Sequence, residues 1–181
     1  MLPNFALHTT WTCYGTWMPG DERGHVSNVL VPLQGYDPKR NVPGSEVALG
    51  DANTKDRASA LQKYPTVWLT ANQAVCVAET LTVAAKKRNW HISIAAVMAN
   101  HVHVVTFGCP PDGASVRRVW KGTTQAALSK LVGQSRSWWT DGGSDRYKND
   151  EKAIESAIEY VANQEFKLAM IVDMVVRQIV E

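Results

Sequence analysis

Two histidines of this 181-residue chain have the type and spacing for metal chemistry. His101 and His103 flank a single valine in the β-rich run HVHVVTF. Because alternate side chains of a strand point to the same face, we expect the two imidazoles side by side. For an arbitrary pair of this spacing, two exposed polar positions on a half-buried strand are the commoner explanation.

A tyrosine and a glutamine form a second pair near the end of the chain. Tyr160 and Gln164 lie in a stretch that predicts a helix, from a cap at Asn149 or Asp150 to about Glu165. Residues four apart share one face of a helix, with Cβ atoms roughly 6 Å apart. The hydroxyl and the amide could therefore enter one site. Taken alone, an amphipathic tyrosine and a solvated glutamine explain the two positions as well.

Together the four side chains suit chemistry on a phosphodiester. Two imidazole nitrogens and an amide oxygen form a mixed donor set that favours Mg²⁺ or Mn²⁺ over structural zinc and leaves room for a phosphate oxygen. Such an ion polarises the phosphodiester while a tyrosine oxygen attacks phosphorus and becomes covalently attached. Since a free tyrosine has a pKa of about 10, the metal and nearby cations must help to activate it.

The elements that would position these groups can be predicted from the surrounding sequence. Strands are predicted over 5–14, 91–98 and 101–107. The last two are separated only by Ala99 and Asn100, the length of a tight hairpin, so they should pair as antiparallel neighbours.

Helices and further strands complete the prediction. Helical spacing of apolar residues predicts helices over 70–88, capped by Thr70, and over 113–131. A short aromatic strand is expected over 137–140, and another strand near 168–172. The sum is an α+β fold with one antiparallel sheet and helices packed on it.

The segment 15–65 is punctuated by Gly and Pro and has no sustained period. It predicts a long loop insertion within a single domain that covers 1–181. Trp17, Arg23, Lys39 and Arg40 within it could contact a nucleic acid. A surface insertion with a short helix fits equally well.

The composition restricts the class of protein. With 45% hydrophobic residues and seven Trp, the chain can bury a core and is not disordered. A net charge of +2 permits a polyanionic partner without requiring one. Three distant cysteines without a CxxC pair fit a reducing cytoplasm. No stretch approaches about 18 apolar residues, so no membrane span is expected.

Three motifs resemble one family. VMANHVHVV is similar to the HUH signature of single-tyrosine transposases, and YVANQ, which begins at Tyr160, matches that family's nucleophile helix. The opening TTWTCYGTWMPGDERG resembles bacterial transposases of the insertion-sequence-200-like group, including those associated with repetitive extragenic palindromes. The sequence departs from the family at Ala99, where Pro is common, and in its longer 15–65 loop.

The resemblance implies a fold and a set of roles. It implies a ferredoxin-like (RRM-like) antiparallel sheet, the HUH endonuclease/transposase fold. His101, His103 and Gln164 would bind the metal, and Tyr160 would form a 5′-phosphotyrosine link to single-stranded DNA. Family members recognise DNA hairpins and often work as dimers, so the implied partners are a single-stranded DNA hairpin and a second copy of the chain.

Other residues could support such a site. Arg117, Arg118 and Lys121 could hold phosphates, and Trp138 or its neighbour Trp139 could stack an unpaired base. Core packing is the simpler explanation for each tryptophan. A further histidine, His8 on the first strand, could orient a metal ligand or be purely structural.

Two other classes of protein remain open. A non-catalytic or domesticated nucleic-acid-binding protein could use the same sheet, since a fold does not fix a function. The retained histidines, tyrosine and glutamine argue against it, because simple binding needs none of them. A replication or conjugation nickase would share the chemistry, but such proteins usually carry further domains.

Overall fold

The computed structural model describes residues 5–22, 30–31, 35–36 and 50–179. No helix in these ranges is both long and apolar enough to cross a membrane. In chain order the elements are β1 (Ala6–Thr12), β2 (Leu30–Val31), β3 (Gly35–Tyr36), α1 (Ala52–Ala60), α2 (Ala71–Lys86), β4 (His91–Met98), β5 (His101–Phe107), α3 (Gly113–Val132), β6 (Ser144–Lys148), α4 (Glu151–Ala162), β7 (Lys167–Val172) and β8 (Val175–Gln178).

The chain divides into two compact units, one formed by Met1–Tyr14 with Val67–Glu181 and the other by Gly15–Thr66. The second unit contains α1 and the β2–β3 pair, and it spans nearly the segment predicted as an insertion. Three of the residues predicted to contact nucleic acid there, Arg23, Lys39 and Arg40, lie outside the described residues. The single domain over 1–181 stays a prediction.

The first unit is built on a six-stranded sheet in the order β6-β1-β5-β4-β7-β8. Every neighbouring pair is antiparallel. The succession β1-α2-β4-β5-α3-β6 is the β-α-β-β-α-β arrangement of ferredoxin-like folds, and β7 and β8 extend the sheet beyond β4. The predicted α+β, ferredoxin-like architecture is confirmed.

The two faces of the sheet carry different helices. On one face α2 and α3 cover the larger core, which includes Leu7, Val104 and Trp120. On the other face α4 covers a smaller core that includes Ala6 and Val105. Because side chains alternate along β1 and β5, Leu7 and Val104 enter the first core while their neighbours Ala6 and Val105 enter the second.

The two helices of the larger core begin and end close to their predicted bounds. Thr70 caps α2 and forms a capping box with Gln73. Asp112 caps α3 by accepting from the backbone N–H of Ser115, and the helix ends at Gly133, whose φ of 70° is left-handed. Both predicted helices, 70–88 and 113–131, are therefore confirmed.

The strand predicted over 137–140 is wrong. In this segment only Trp139 makes a bridge, to Cys13, and the edge strand is β6 instead. Trp138 and Trp139 lie in the larger core. The aromatic pattern of this segment therefore reflects burial and does not indicate a strand. The true strand, SDRYK, was missed because charged residues at a sheet edge disguise its pattern.

The last helix is shorter than predicted. α4 begins after its cap Asp150, as expected, but ends at Ala162 and not near Glu165. The Lys167 ammonium group donates to the carbonyl groups of Ala162, at 2.8 Å, and of Gln164, so it satisfies acceptors that the helix end leaves open. The strand expected near 168–172 follows as β7.

Candidate active site

His101 and His103 occupy one end of β5 and share its α4 face. Their directly opposite partners on β1 are Thr12 and Thr10. The two rings lie 5.0 Å apart between centroids, with planes at 85°. His103 is only 5% exposed, whereas His101 is half-buried. The strand alternation thus brings the two imidazoles together as the sequence predicts.

Tyr160 reaches the same place from the last turn of α4. Its neighbours in the helix, Ala157 and Val161, are buried against the sheet, which fixes the orientation of this turn. The Tyr160 ring lies 5.5 Å from the His103 ring and 5.9 Å from the His8 ring, between centroids. Since Tyr160 is 54% exposed, a solvent-borne substrate can reach it.

The expectation that Gln164 sits one helical turn beyond Tyr160 is wrong. Gln164 follows Asn163, the C-cap of α4, so it lies outside the helix and does not share a helical face with Tyr160. Its amide nitrogen donates to the Tyr160 backbone carbonyl at 3.1 Å, which turns the side chain back onto the helix end. Helical spacing therefore gives no support to its oxygen as a metal ligand, and that role stays a prediction.

His8 and Thr10 meet His103 behind the two rings. The Nδ1 atom of His103 lies 2.8 Å from the Thr10 hydroxyl oxygen and 3.1 Å from His8 Nε2. Both β1 residues point to the α4 face because they are two positions apart in the strand. The Thr10 hydroxyl itself lies 3.5 Å from His8 Nε2. Three polar side chains thus share one buried contact.

The imidazoles of His8 and His103 are held neutral by burial. Burial lowers the pKa of His103 to about 3, helped by the nearby His101 and His8. Burial also lowers the pKa of His8 to about 4, with contributions from the positive charges of Lys148 and Arg146. A neutral imidazole is the form that binds a metal ion.

The hydrogen bonds of the pair fit a metal site with two nitrogen ligands. His101 Nδ1 lies 2.6 Å from the Asn100 side-chain oxygen, and His103 Nδ1 is held by Thr10 and His8. Metal-binding histidines are commonly held in this way through the nitrogen that does not bind the metal. Within 5–22 and 50–179 no group of three or more His, Cys, Asp and Glu side chains could hold an ion.

The basic residues predicted to bind DNA lie on α3, which packs on the opposite face of the sheet from α4. Arg117 forms an ion pair with Asp145. The Lys121 ammonium group donates to the Thr140 and Gly142 carbonyl groups. Arg118 is exposed. The structure therefore does not bring these three residues to Tyr160, and two of them tie α3 to the segment around β6.

Trp138 is also placed away from the surface. It is 3% exposed and lies in the larger core, where its indole nitrogen donates to the Ser129 hydroxyl at 3.0 Å. Trp139 is 6% exposed and meets Trp11 edge to face. In this structure neither ring offers a face to an unpaired base.

Sequence inspection missed the basic residues on the face that carries Tyr160. Arg146 lies directly opposite His8 in the β1–β6 pair, and Lys148 lies opposite Ala6, so both point to the α4 face. Arg146 is exposed and Lys148 half-buried. The alternation in SDRYK is the signal that could have found them once the strand was recognised.

Comparisons with known proteins give similar solved structures, among them the following two. No protein-family model and no curated protein sequence matches the chain. One solved structure, a REP-associated tyrosine transposase bound to a REP hairpin, is 11% identical with a TM-score of 0.44, over 87% of this chain and 64% of that one. Another, a candidate transposase from Deinococcus radiodurans R1, is 13% identical with a TM-score of 0.41, over 88% of this chain and 89% of that one. The chain therefore spans less than two thirds of the first of these structures.

Proposed function

We propose that this chain is a metal-dependent single-tyrosine transposase that cuts and rejoins single-stranded DNA at a hairpin. One observation carries the proposal: the half-exposed Tyr160 stands against His103, and His103 stands beside His101 on the same strand. A nucleophile that substrate can reach is thus combined with two neighbouring imidazoles. The hairpin substrate and a homodimer rest on the resemblance of the sequence motifs.

The residues would share the reaction as follows. His101 and His103 would hold Mg²⁺ or Mn²⁺, which would supply positive charge to the phosphodiester oxygens. The Tyr160 oxygen bonds to phosphorus as the bond from phosphorus to the 3′ oxygen breaks. The phenol proton is lost to solvent, and the leaving 3′ oxygen is protonated. One product carries its 5′ phosphate on Tyr160, and a 3′ hydroxyl of a second strand can later displace the tyrosine.

Positive charge on the same face supports a nucleic-acid substrate. Arg146 and Lys148 project from β6 toward the side of the sheet that carries Tyr160. Basic side chains contribute to binding of single strands by neutralising backbone phosphates. By contrast, Arg117 and Lys121 are engaged within the fold.

A covalent adduct tests the proposal. The protein would be incubated with single-stranded hairpin DNA from the flanks of its own gene and with Mn²⁺ or Mg²⁺, then separated on a denaturing gel. We expect an adduct that disappears in Tyr160→Phe and persists in Tyr147→Phe, a tyrosine whose hydroxyl contacts Gly113 on the other face. Tight hairpin binding without an adduct from any flank or ion would favour a non-catalytic nucleic-acid-binding protein.

A further inference from the structure

The contact among His8, Thr10 and His103 constrains where protons can lie. His103 Nδ1 lies 3.1 Å from His8 Nε2, and each nitrogen carries either a proton or a lone pair. Two N–H groups facing each other at this distance would repel. At least one of the two nitrogens must therefore accept. The Thr10 hydroxyl, 2.8 Å from His103 Nδ1, can accept a proton from that nitrogen or donate one to it, so it fits either tautomer of His103.

We propose that Thr10 and His8 are positioning residues that keep the proton of His103 on Nδ1. The His103 N–H then donates to the Thr10 oxygen and shares its proton with the lone pair of His8 Nε2. His8 must in turn carry its own proton on Nδ1. Nε2 of His103 consequently keeps its lone pair, which is the state that a metal ligand requires. The choice of this tautomer rests on the proposed function, because the contacts admit both tautomers and only this one leaves Nε2 free for a metal ion.

The fold is built to hold this contact. Thr10 is directly opposite His103 in the β1–β5 register, and His8 is opposite the adjacent residue of the same face, Val105. His8 and His103 are 8% and 5% exposed, so water competes little for their hydrogen bonds. Neutral imidazoles are also required, because a doubly protonated ring has no tautomer to select.

Nitrogen-15 NMR of the histidine side chains tests the proposal in the metal-free protein at pH 7.5. We expect the Nδ1–H tautomer for both His103 and His8. In Thr10→Val and His8→Phe, which each remove one acceptor, the His103 population should move toward Nε2–H, whereas Thr10→Ser should keep the original tautomer. Thr9→Val is the matched control, since Thr9 belongs to the same strand but its side chain alternates to the other face.

Titration with Mn²⁺ alone gives a second measurement. We expect Thr10→Val and His8→Phe to weaken Mn²⁺ binding by about 10- to 100-fold, the range typical for partners of metal ligands, and Thr9→Val to leave it unchanged. An Nε2–H tautomer of His103 in the unaltered protein would overturn the proposal, and so would a tautomer that neither variant shifts. If the unaltered protein shows Nδ1–H but binds no Mn²⁺, the assignment stands and the metal site of the proposed function fails.

Discussion

Tyr160 stands edge-on to His103, with ring centroids 5.5 Å apart and ring planes at 89°. The two residues come from different layers, His103 from the buried strand β5 and Tyr160 from the last turn of α4. His103 is 5% exposed and Tyr160 is 54% exposed, so a buried imidazole lies next to a phenol that solvent can reach. A phosphate could therefore approach from the open side of the tyrosine while the imidazoles stay in place.

Removing divalent metal should abolish the covalent adduct. A chelator is expected to reduce adduct formation to background, and an excess of Mn²⁺ should restore it, since the proposed reaction needs the charge of a divalent ion at the phosphodiester. His103→Ala should give the same loss even with metal present. Adduct formation that persists in chelator would contradict a metal-dependent reaction. His91→Ala is the control, because His91 is paired with Phe107, at the end of β5 away from His101, and its adduct should be unaffected.

Gln164→Ala tests whether Gln164 is a metal ligand, as the family resemblance implies, or only a hydrogen-bond donor to the Tyr160 carbonyl, as the structure shows. If the Gln164 amide stays on the Tyr160 carbonyl, its loss removes one exposed hydrogen bond worth about 1 kcal/mol or less. We then expect adduct formation to fall by less than about tenfold, well short of the loss in His103→Ala. Rates measured on the same hairpin decide the matter, because an equal loss in both variants would make Gln164 a metal ligand.

Arg146→Gln and Lys148→Gln should weaken binding of single-stranded DNA. For each phosphate that is no longer neutralised, the log–log slope of the binding constant against salt should fall by about 0.7. The measurement is affinity for a hairpin oligonucleotide at several salt concentrations with Tyr160→Phe as background. Arg118→Gln, an exposed arginine on α3, is the matched control. A larger effect in that control would put the DNA on the opposite face.

Acid should destabilise the protein through His8 and His103. Their pKa values fall from 6.5 in the unfolded chain to about 4 and about 3 in the fold. Above pH 6.5 both states are neutral, so the stability is fully present. As pH falls below 6.5 the unfolded chain binds protons that the fold excludes, and each histidine costs up to about 1.4 kcal/mol per pH unit.

Urea unfolding at pH 7.5 and pH 5.5 checks this pH dependence. His8→Phe should lose less stability than the unaltered protein between the two values, because it removes one of the two excluded protons. Comparing the two proteins cancels the contribution of carboxylates that titrate in both. An identical pH dependence would show that His8 binds its proton equally well in the folded and unfolded states.

Thr9→Val should stabilise the fold. The Thr9 hydroxyl is fully buried and finds no hydrogen-bond partner among the described residues, so it has left water without compensation. Replacing it with a methyl group of similar shape should raise the free energy of unfolding by roughly 1 kcal/mol. Chemical denaturation measures the change. A loss of stability would mean that ordered water satisfies the hydroxyl.

The sequence predicted the parts of the fold that depend on local pattern. The hairpin around Ala99 and Asn100 and the pairing of His101 with His103 follow from alternation, which short-range sterics enforce. The end of α4 could not be predicted, since it depends on Lys167 reaching back to carbonyl groups of the preceding turn. The spacing of apolar residues in the sequence does not indicate that interaction.

Residues that depend on pairing between distant strands were also missed. Thr10 lies in the motif TTWTCYGTWMPGDERG, but nothing in that motif points to a contact with His103, and only the register of β1 against β5 puts the two residues opposite each other. Likewise, Arg117 and Arg146 look equivalent in sequence, but one pairs with Asp145 and the other lies opposite His8. Long-range register decides which basic residue faces the site, and composition does not contain it.

The unequal covering of the sheet has a consequence for how this molecule can change. Two helices, of 16 and 20 residues, pack on one face, and a single helix of 12 residues packs on the face that carries Tyr160. The larger buried apolar cluster therefore lies on the side of the sheet away from Tyr160. Substitutions on the α4 face should therefore cost less stability on average than substitutions in the larger core, so this face can change more before the protein unfolds.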